Sequence, residues 1–171
     1  MIIGVSPTKD AVVIAETAGA GETFVITSIT SIRFKTDSGA DLAALRQRLA
    51  ATFNRTRNRR STIALLASSS GRFKSSVGAI KAEAMTELAA AESGLSVVRV
   101  TAASLKKVLG CAAAQKWQAR AAERFNPLGR HKNWSQGAAG ATAAALKVAT
   151  PRFADRAASR PRRSCGAVRL S

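Results

Sequence analysis

Acidic residues are scarce in this chain, with ten Asp and Glu against 27 Lys and Arg over 171 residues, and aromatics make up only 5%. The resulting formal charge of +17 excludes an acidic or neutral surface and predicts attraction to polyanions, with nucleic acid the expected partner. The two cysteines, Cys111 and Cys165, show no CxxC spacing, which speaks against a disulfide framework or a zinc site. The single histidine, His131, is flanked by Arg, Lys and Asn, with no adjacent Ser, Cys or Asp to make a catalytic pair. No window reaches the roughly eighteen apolar residues of a membrane span, and the apolar start at Met1 to Val5 is too short for a signal-peptide core. The expectation is a cytoplasmic protein with no membrane partner.

What is present suits one compact domain and a tail. Hydrophobic residues make up 46%, much of it alanine, so the core should be aliphatic and alanine-rich. Charge is unevenly distributed. From Met1 to Asn54 the five basic residues Lys9, Arg33, Lys35, Arg46 and Arg48 balance five acidic ones, and the whole excess lies beyond. From Thr150 onward Pro, Arg and Ser dominate, six Arg against Asp155, which predicts a domain over 1–149 and a basic, disordered tail over 150–171.

Apolar runs at Ile2 to Gly4 and Ala11 to Ala15, split by Ser6, Pro7 and Thr8, read as two strands. A third run, Thr23 to Phe34, alternates with one slip, so the opening predicts an antiparallel meander. Asp41 stands where a helix cap would, before Leu42, Leu45, Leu49 and Phe53 on one face. After a basic turn to Arg60, Thr62 to Leu66 reads as a central parallel strand. A helix from Ser76 to Ala91, a strand from Leu95 to Val100 and a helical turn opened by Ser104 follow. Helices over Ala112 to Phe125 and Ala138 to Ala149 close the order βββαβαβα.

The opening Ile2, Ile3, Gly4, Val5, Ser6, Pro7 resembles the first strand of RuvC-type resolvases. Thr101 to Gly110, with Leu105, Lys106, Lys107 and Val108, resembles the segment after their fifth strand, and Gln115, Lys116 and Trp117 its continuation. Gly71, Arg72, Phe73 and Lys74, leading into Val77, Gly78, Ile80, Lys81 and Glu83, resemble a little-characterised bacterial family of the same fold. The resemblance spans about residues 1 to 149. It implies a ribonuclease H-like α/β domain, a mixed five-stranded sheet flanked by helices.

The same resemblance implies carboxylates that this chain does not supply. Two-metal nucleases of this fold gather acidic side chains from separate elements to hold magnesium ions about 3.5 to 4 Å apart. Where the family has Asp on the first strand this sequence has Ser6, and where it has Glu after the fourth strand there are Ala67 and Ser68. No acidic residue occurs between Glu123 and Asp155. A relocated site would have to draw on Asp10, Glu16 and Glu83. The simpler reading makes Glu83 and Glu87 a solvated helix face and Asp10 a turn residue bonding its own backbone.

Phosphate-binding candidates are the run Arg55, Arg57, Arg59 and Arg60, then Arg72 and Lys74 in the Ser-rich loop before a helix, Lys106, Lys107 and Lys116, and Arg130 and Lys132. Trp134 either stacks on a base or plugs the sheet edge; the residues leave both open. The reading is a nucleic-acid-binding, catalytically silent domain for structured DNA or RNA, calling for no cofactor. An active metal-dependent resolvase and a protein-interaction subunit, paired with another protein or a second copy, are its rivals.

Overall fold

A computed structural model describes residues 1–56, 61–68, 76–129 and 134–150. The elements run β1 (Ile2–Pro7), β2 (Ala11–Ala18), β3 (Val25–Arg33), α1 (Gly39–Thr56), β4 (Thr62–Leu66), α2 (Val77–Glu92), β5 (Ser96–Val100), α3 (Ala102–Val108), α4 (Trp117–Phe125) and α5 (Ala138–Ala149), with short 3-10 turns at Gly21–Thr23 and Trp134–Gln136. They build one five-stranded sheet in the order β3-β2-β1-β4-β5. The β1–β2–β3 meander is antiparallel, and β4 pairs in parallel with both β1 and β5. This is the expected mixed sheet. The slip read in the third run is a bulge: Glu16 pairs with Ser28 and Thr17 with Ile26, so Thr27 is the extra residue.

Strand alternation decides what each face can accept. Ile3, Val5, Val12, Ile14, Ile32, Ile63 and Leu65 form one core with Leu45, Leu49 and Phe53 of α1 and Ala82, Ala89 and Ala90 of α2. The other face offers small residues. Ala15 and Ala64 meet the alanines of α5, and the side is closed by Leu105, Leu109, Ala121 and Trp134. Gly4 belongs to that face: a Cβ there would overlap the Ala141 carbonyl, so α5 can lie against the middle strand only because position 4 has no side chain. The alanine-rich composition is therefore a spacing device as well as a core.

Four boundary readings are corrected. Ser38, not Asp41, caps α1: its hydroxyl accepts from Asp41 N–H at 3.1 Å and donates to the Asp41 carboxylate at 2.7 Å, placing Asp41 inside the first turn. Thr101, not Ser104, caps α3, accepting from Ser104 N–H at 3.4 Å. The helix expected from Ala112 begins at Trp117, because Gln115 N–H donates to Ala112 in a turn and Lys116 is extended. Alanine propensity alone does not start a helix there. The β1–β2 turn is held by Thr8 rather than Asp10: the Thr8 hydroxyl donates to the Ala11 carbonyl at 2.7 Å and accepts from Ala11 N–H at 3.0 Å. The expected tail over 150–171 lies outside the described residues apart from Thr150.

Candidate phosphate-binding cleft

The fold places a cleft at the carboxyl ends of β1 and β4, the edge at which open α/β sheets bind ligands. Its volume is about 910 Å³. Ser6 and Leu66 come from the strand ends and Thr8, Lys9 and Asp10 from the β1–β2 turn. Arg33 comes from the end of β3, Arg48 from α1, Gln118 from α4, and Gln136, Gly137, Ala139 and Gly140 from the approach to α5 and its first turn.

Each side chain is there for a local reason. Ser6 points to the α5 side, as Gly4 does two residues earlier, and is only 4% exposed. A Cβ on Gly140 would lie 2.6 Å from the Ser6 oxygen, so the glycine leaves the hydroxyl its room. Gly137 has φ 125°, a left-handed value that turns the chain into α5 beside Val13 and Thr8. Ala11 pairs with Arg33, which carries the end of β3 to the β1–β2 turn, and Arg48 donates to the Arg33 carbonyl at 2.9 Å. Lys9, Arg33 and Arg48 have exposed side chains and form no ion pair among the described residues.

The acidic residues considered for a relocated metal site do not assemble. Asp10 lies at the cleft, but Glu16 pairs with Ile3, six residues along the same strand and about 20 Å away at about 3.3 Å per residue. Glu83 is 8% exposed, which corrects the solvated-face reading. Its carboxylate accepts from Ser68 N–H at 2.9 Å, pinning the end of β4 to α2, and forms an ion pair with Arg99 at 3.2 Å. Glu87 accepts from Arg99 at 2.6 Å. The hydrogen bond and charge of Glu87, then the charge of Glu83, raise the Arg99 pKa above its ordinary value. A raised value is lost only as pH climbs through it, so Arg99 remains a cation throughout the neutral range. Among the described residues no three His, Cys, Asp or Glu side chains gather in a way that could hold a metal ion. The cleft donors do not fit a divalent cation, since one carboxylate stands among three cations.

The basic residues singled out from sequence scatter where they are described. Arg55 is exposed at the end of α1, seven residues and about 10 Å along the helix from Arg48. Lys106 and Lys107 are exposed in the last turn of α3, and Lys116 caps α4 beside the cleft residues Trp117 and Gln118. Arg57, Arg59, Arg60, Arg72, Lys74, Arg130 and Lys132 lie outside the described residues. Trp134 is 8% exposed and packs within the α5-side core. Lys9, Arg33 and Arg48 were missed because the first third is neutral in sum. The available signal was positional: Lys9 follows the first strand, and Arg33 ends the third.

No protein-family model and no curated protein sequence matches the chain. Solved structures do. A Thermus thermophilus RuvC structure aligns with a TM-score of 0.65 at 17% identity, covering 85% of this chain and 91% of that one. The fold is the ribonuclease H-like fold of RuvC. A second structure, T. thermophilus RuvC in complex with a Holliday junction substrate, aligns at a TM-score of 0.61 and 17% identity, over 85% of this chain and 90% of that one. The RuvC-like sheet, meander and crossover helices thus extend over most of the chain, as the opening strand and the segment after β5 implied. Among the described residues no helix is long and apolar enough to cross a membrane.

Proposed function

We propose that this RuvC-like chain binds structured or branched nucleic acid through its phosphates and does not cut it by metal-dependent chemistry. The observation that carries the reading is the composition of the cleft. Metal-dependent nucleases of this fold need carboxylates at the ends of the first and fourth strands and on the last helix, and this chain has Ser6, Ala67, Ser68 and an acid-free α5. Cations line the space instead. A junction substrate is bound by T. thermophilus RuvC, and the formal charge of +17 here suits the same class of polyanion. Arg55, Arg57, Arg59, Arg60, Arg72, Lys74, Lys106, Lys107, Lys116, Arg130 and Lys132 belong to this proposal as backbone contacts that spread affinity beyond the cleft.

Mechanistically the chain supplies positioning charge and no nucleophile. Phosphate contacts by Lys and Arg release counterions, so log affinity should fall with log salt at about −0.9 per contact on duplex DNA, near −5 for five or six contacts. Anisotropy titrations on duplex, branched and single-stranded probes, with magnesium or a chelator, test this. The expected result is a steep slope and intact probes in both buffers. A flat salt response would remove nucleic acid as the partner, and magnesium-dependent cleavage would end the silent reading.

A protein-interaction subunit is the second reading. Val77, Ile80 and Leu88 are exposed along α2, and Val98 is exposed on β5, an apolar set of the kind that marks protein contacts. Sedimentation of nuclease-treated protein tests it: a lone monomer would count against a second copy as that partner.

A further inference from the structure

We infer that the cleft is a metal-independent site for a phosphomonoester dianion, held by Lys9, Arg33 and Arg48 over the Ser6 hydroxyl and the first turn of α5. The inference deepens the nucleic-acid reading, on which it rests, by naming the group that enters the cleft: a terminal phosphate rather than an internal diester.

Three independent features converge there. The first is charge. Lys9, Arg33 and Arg48 reach one space from three separate elements, with Asp10 the single acid lining it, and none of the three cations is spent on a carboxylate among the described residues. Three cations against one acid leave a surplus of two. An internal diester brings a single negative charge, whereas a phosphomonoester carries about −1.5 to −2 at neutral pH and three acceptor oxygens. The terminal group therefore matches the surplus where one diester would leave it unbalanced.

The second feature is the Ser6 hydroxyl. It is 4% exposed and lines the cleft, with Gly140 leaving room beside its oxygen. A phosphoryl oxygen arriving from the open side would accept its hydrogen bond. The third is α5 itself, twelve residues long, with Gly137 at its N-cap, no side-chain cap and no acid in its first turn. Its first N–H groups are unsatisfied within the helix and aligned with the positive end of its dipole. Ala139 and Gly140 of that turn line the cleft.

The cations line the same cleft as Ser6, the residue at the end of β1. Here the positive charge is covalently part of the chain, so binding needs no divalent ion. Asp10 sets the selectivity: it opposes a carboxylate or phosphate that approaches without meeting all three cations.

The test uses the full chain and one oligonucleotide sequence carrying either a 5′-phosphate or a 5′-hydroxyl, titrated by anisotropy in EDTA. The expected result is about tenfold tighter binding of the phosphorylated end, the effect of a few charge-assisted hydrogen bonds. Lys9→Gln, at an exposed turn position, and Arg33→Gln should each erase most of that preference, and Asp10→Asn should increase it. Equal binding of the two ends with high affinity would overturn this inference and leave nucleic-acid binding intact. A preference that appears only with magnesium would overturn it as well. Inorganic phosphate, followed by phosphorus NMR, separates the sources of the dianion. If it binds and is lost in Lys9→Gln while no oligonucleotide binds, the cleft is a site for free phosphate, and the nucleic-acid reading fails instead. No binding of either probe overturns both.

Discussion

Arg46 and Arg48 stand two residues apart on α1 and lead opposite lives. Two residues on a helix are about 200° apart, so one faces α2 and the other the cleft. Arg46 meets Glu92 at 2.6 Å, and beside it Arg99 meets Glu83 and Glu87; the flank made by α1, α2 and β5 thus pairs its charges internally. Among the described residues Arg48 meets only a carbonyl, that of Arg33, and it shares the cleft with Lys9. Paired charges hold elements together and are unavailable to a ligand. Unpaired charges contribute little to folding and are free to bind, and on the proposed reading the difference divides this small sheet into a stabilising flank and a recognising edge.

The largest expected effect tests whether the recognising edge rests on a packed floor. Trp134→Ala should cost about 3 to 5 kcal/mol of stability, the usual loss on truncating a buried Trp, because its ring is 8% exposed in the core behind the first turn of α5. Chemical denaturation measures this. A variant that unfolds at the wild-type midpoint but binds nucleic acid poorly would return Trp134 to the ligand surface.

Glu83→Ala should come next, at about 2 to 3 kcal/mol, since it strands the Ser68 N–H and removes one partner of Arg99. Nucleic-acid affinity of the folded variant should stay within twofold of wild type. Loss of affinity without loss of stability would mean that the flank also recognises ligand, and the division would collapse.

The smallest effects sharpen the contrast itself. Arg46→Gln breaks a half-exposed surface pair and should cost under about 1 kcal/mol while leaving the salt slope alone. Arg48→Gln should do the reverse, reducing the slope by about 0.9 with little change in melting temperature. Identical behaviour of the two variants would show that pairing does not separate the two faces.

Much of the fold was legible in the chain. Ile2 to Gly4, Ala11 to Ala15 and Thr62 to Leu66 betray strands through short apolar runs, and Ala138 to Ala149 matches α5 residue for residue because its composition permits little else. Helix starts were less legible where two hydroxyl or acidic residues compete, as Ser38 with Asp41 and Thr101 with Ser104, since either satisfies the same N–H groups. The candidate site was the least legible part. A dense run such as Arg55 to Arg60 draws the eye, whereas Lys9, Arg33 and Arg48 are separated by 24 and 15 positions and sit in a segment of zero net charge.

The sequence by itself determined the class of the fold: a single α/β sheet opened by a meander, an alanine-rich interior, and a strong excess of basic over acidic residues. Local periodicity, composition and residue type carry those properties, and each is readable within a few neighbouring positions. Only the tertiary structure decided which charges remain free. Whether an arginine binds outward or is neutralised at home depends on what lies within 4 Å of it, and for Arg46 that is Glu92, 46 positions away in the chain. Tertiary structure also buried Glu83 and Trp134 and brought Lys9, Arg33 and Arg48 to one cleft, because the antiparallel meander carries the end of β3 to the β1–β2 turn and Arg48 of α1 reaches the Arg33 carbonyl there.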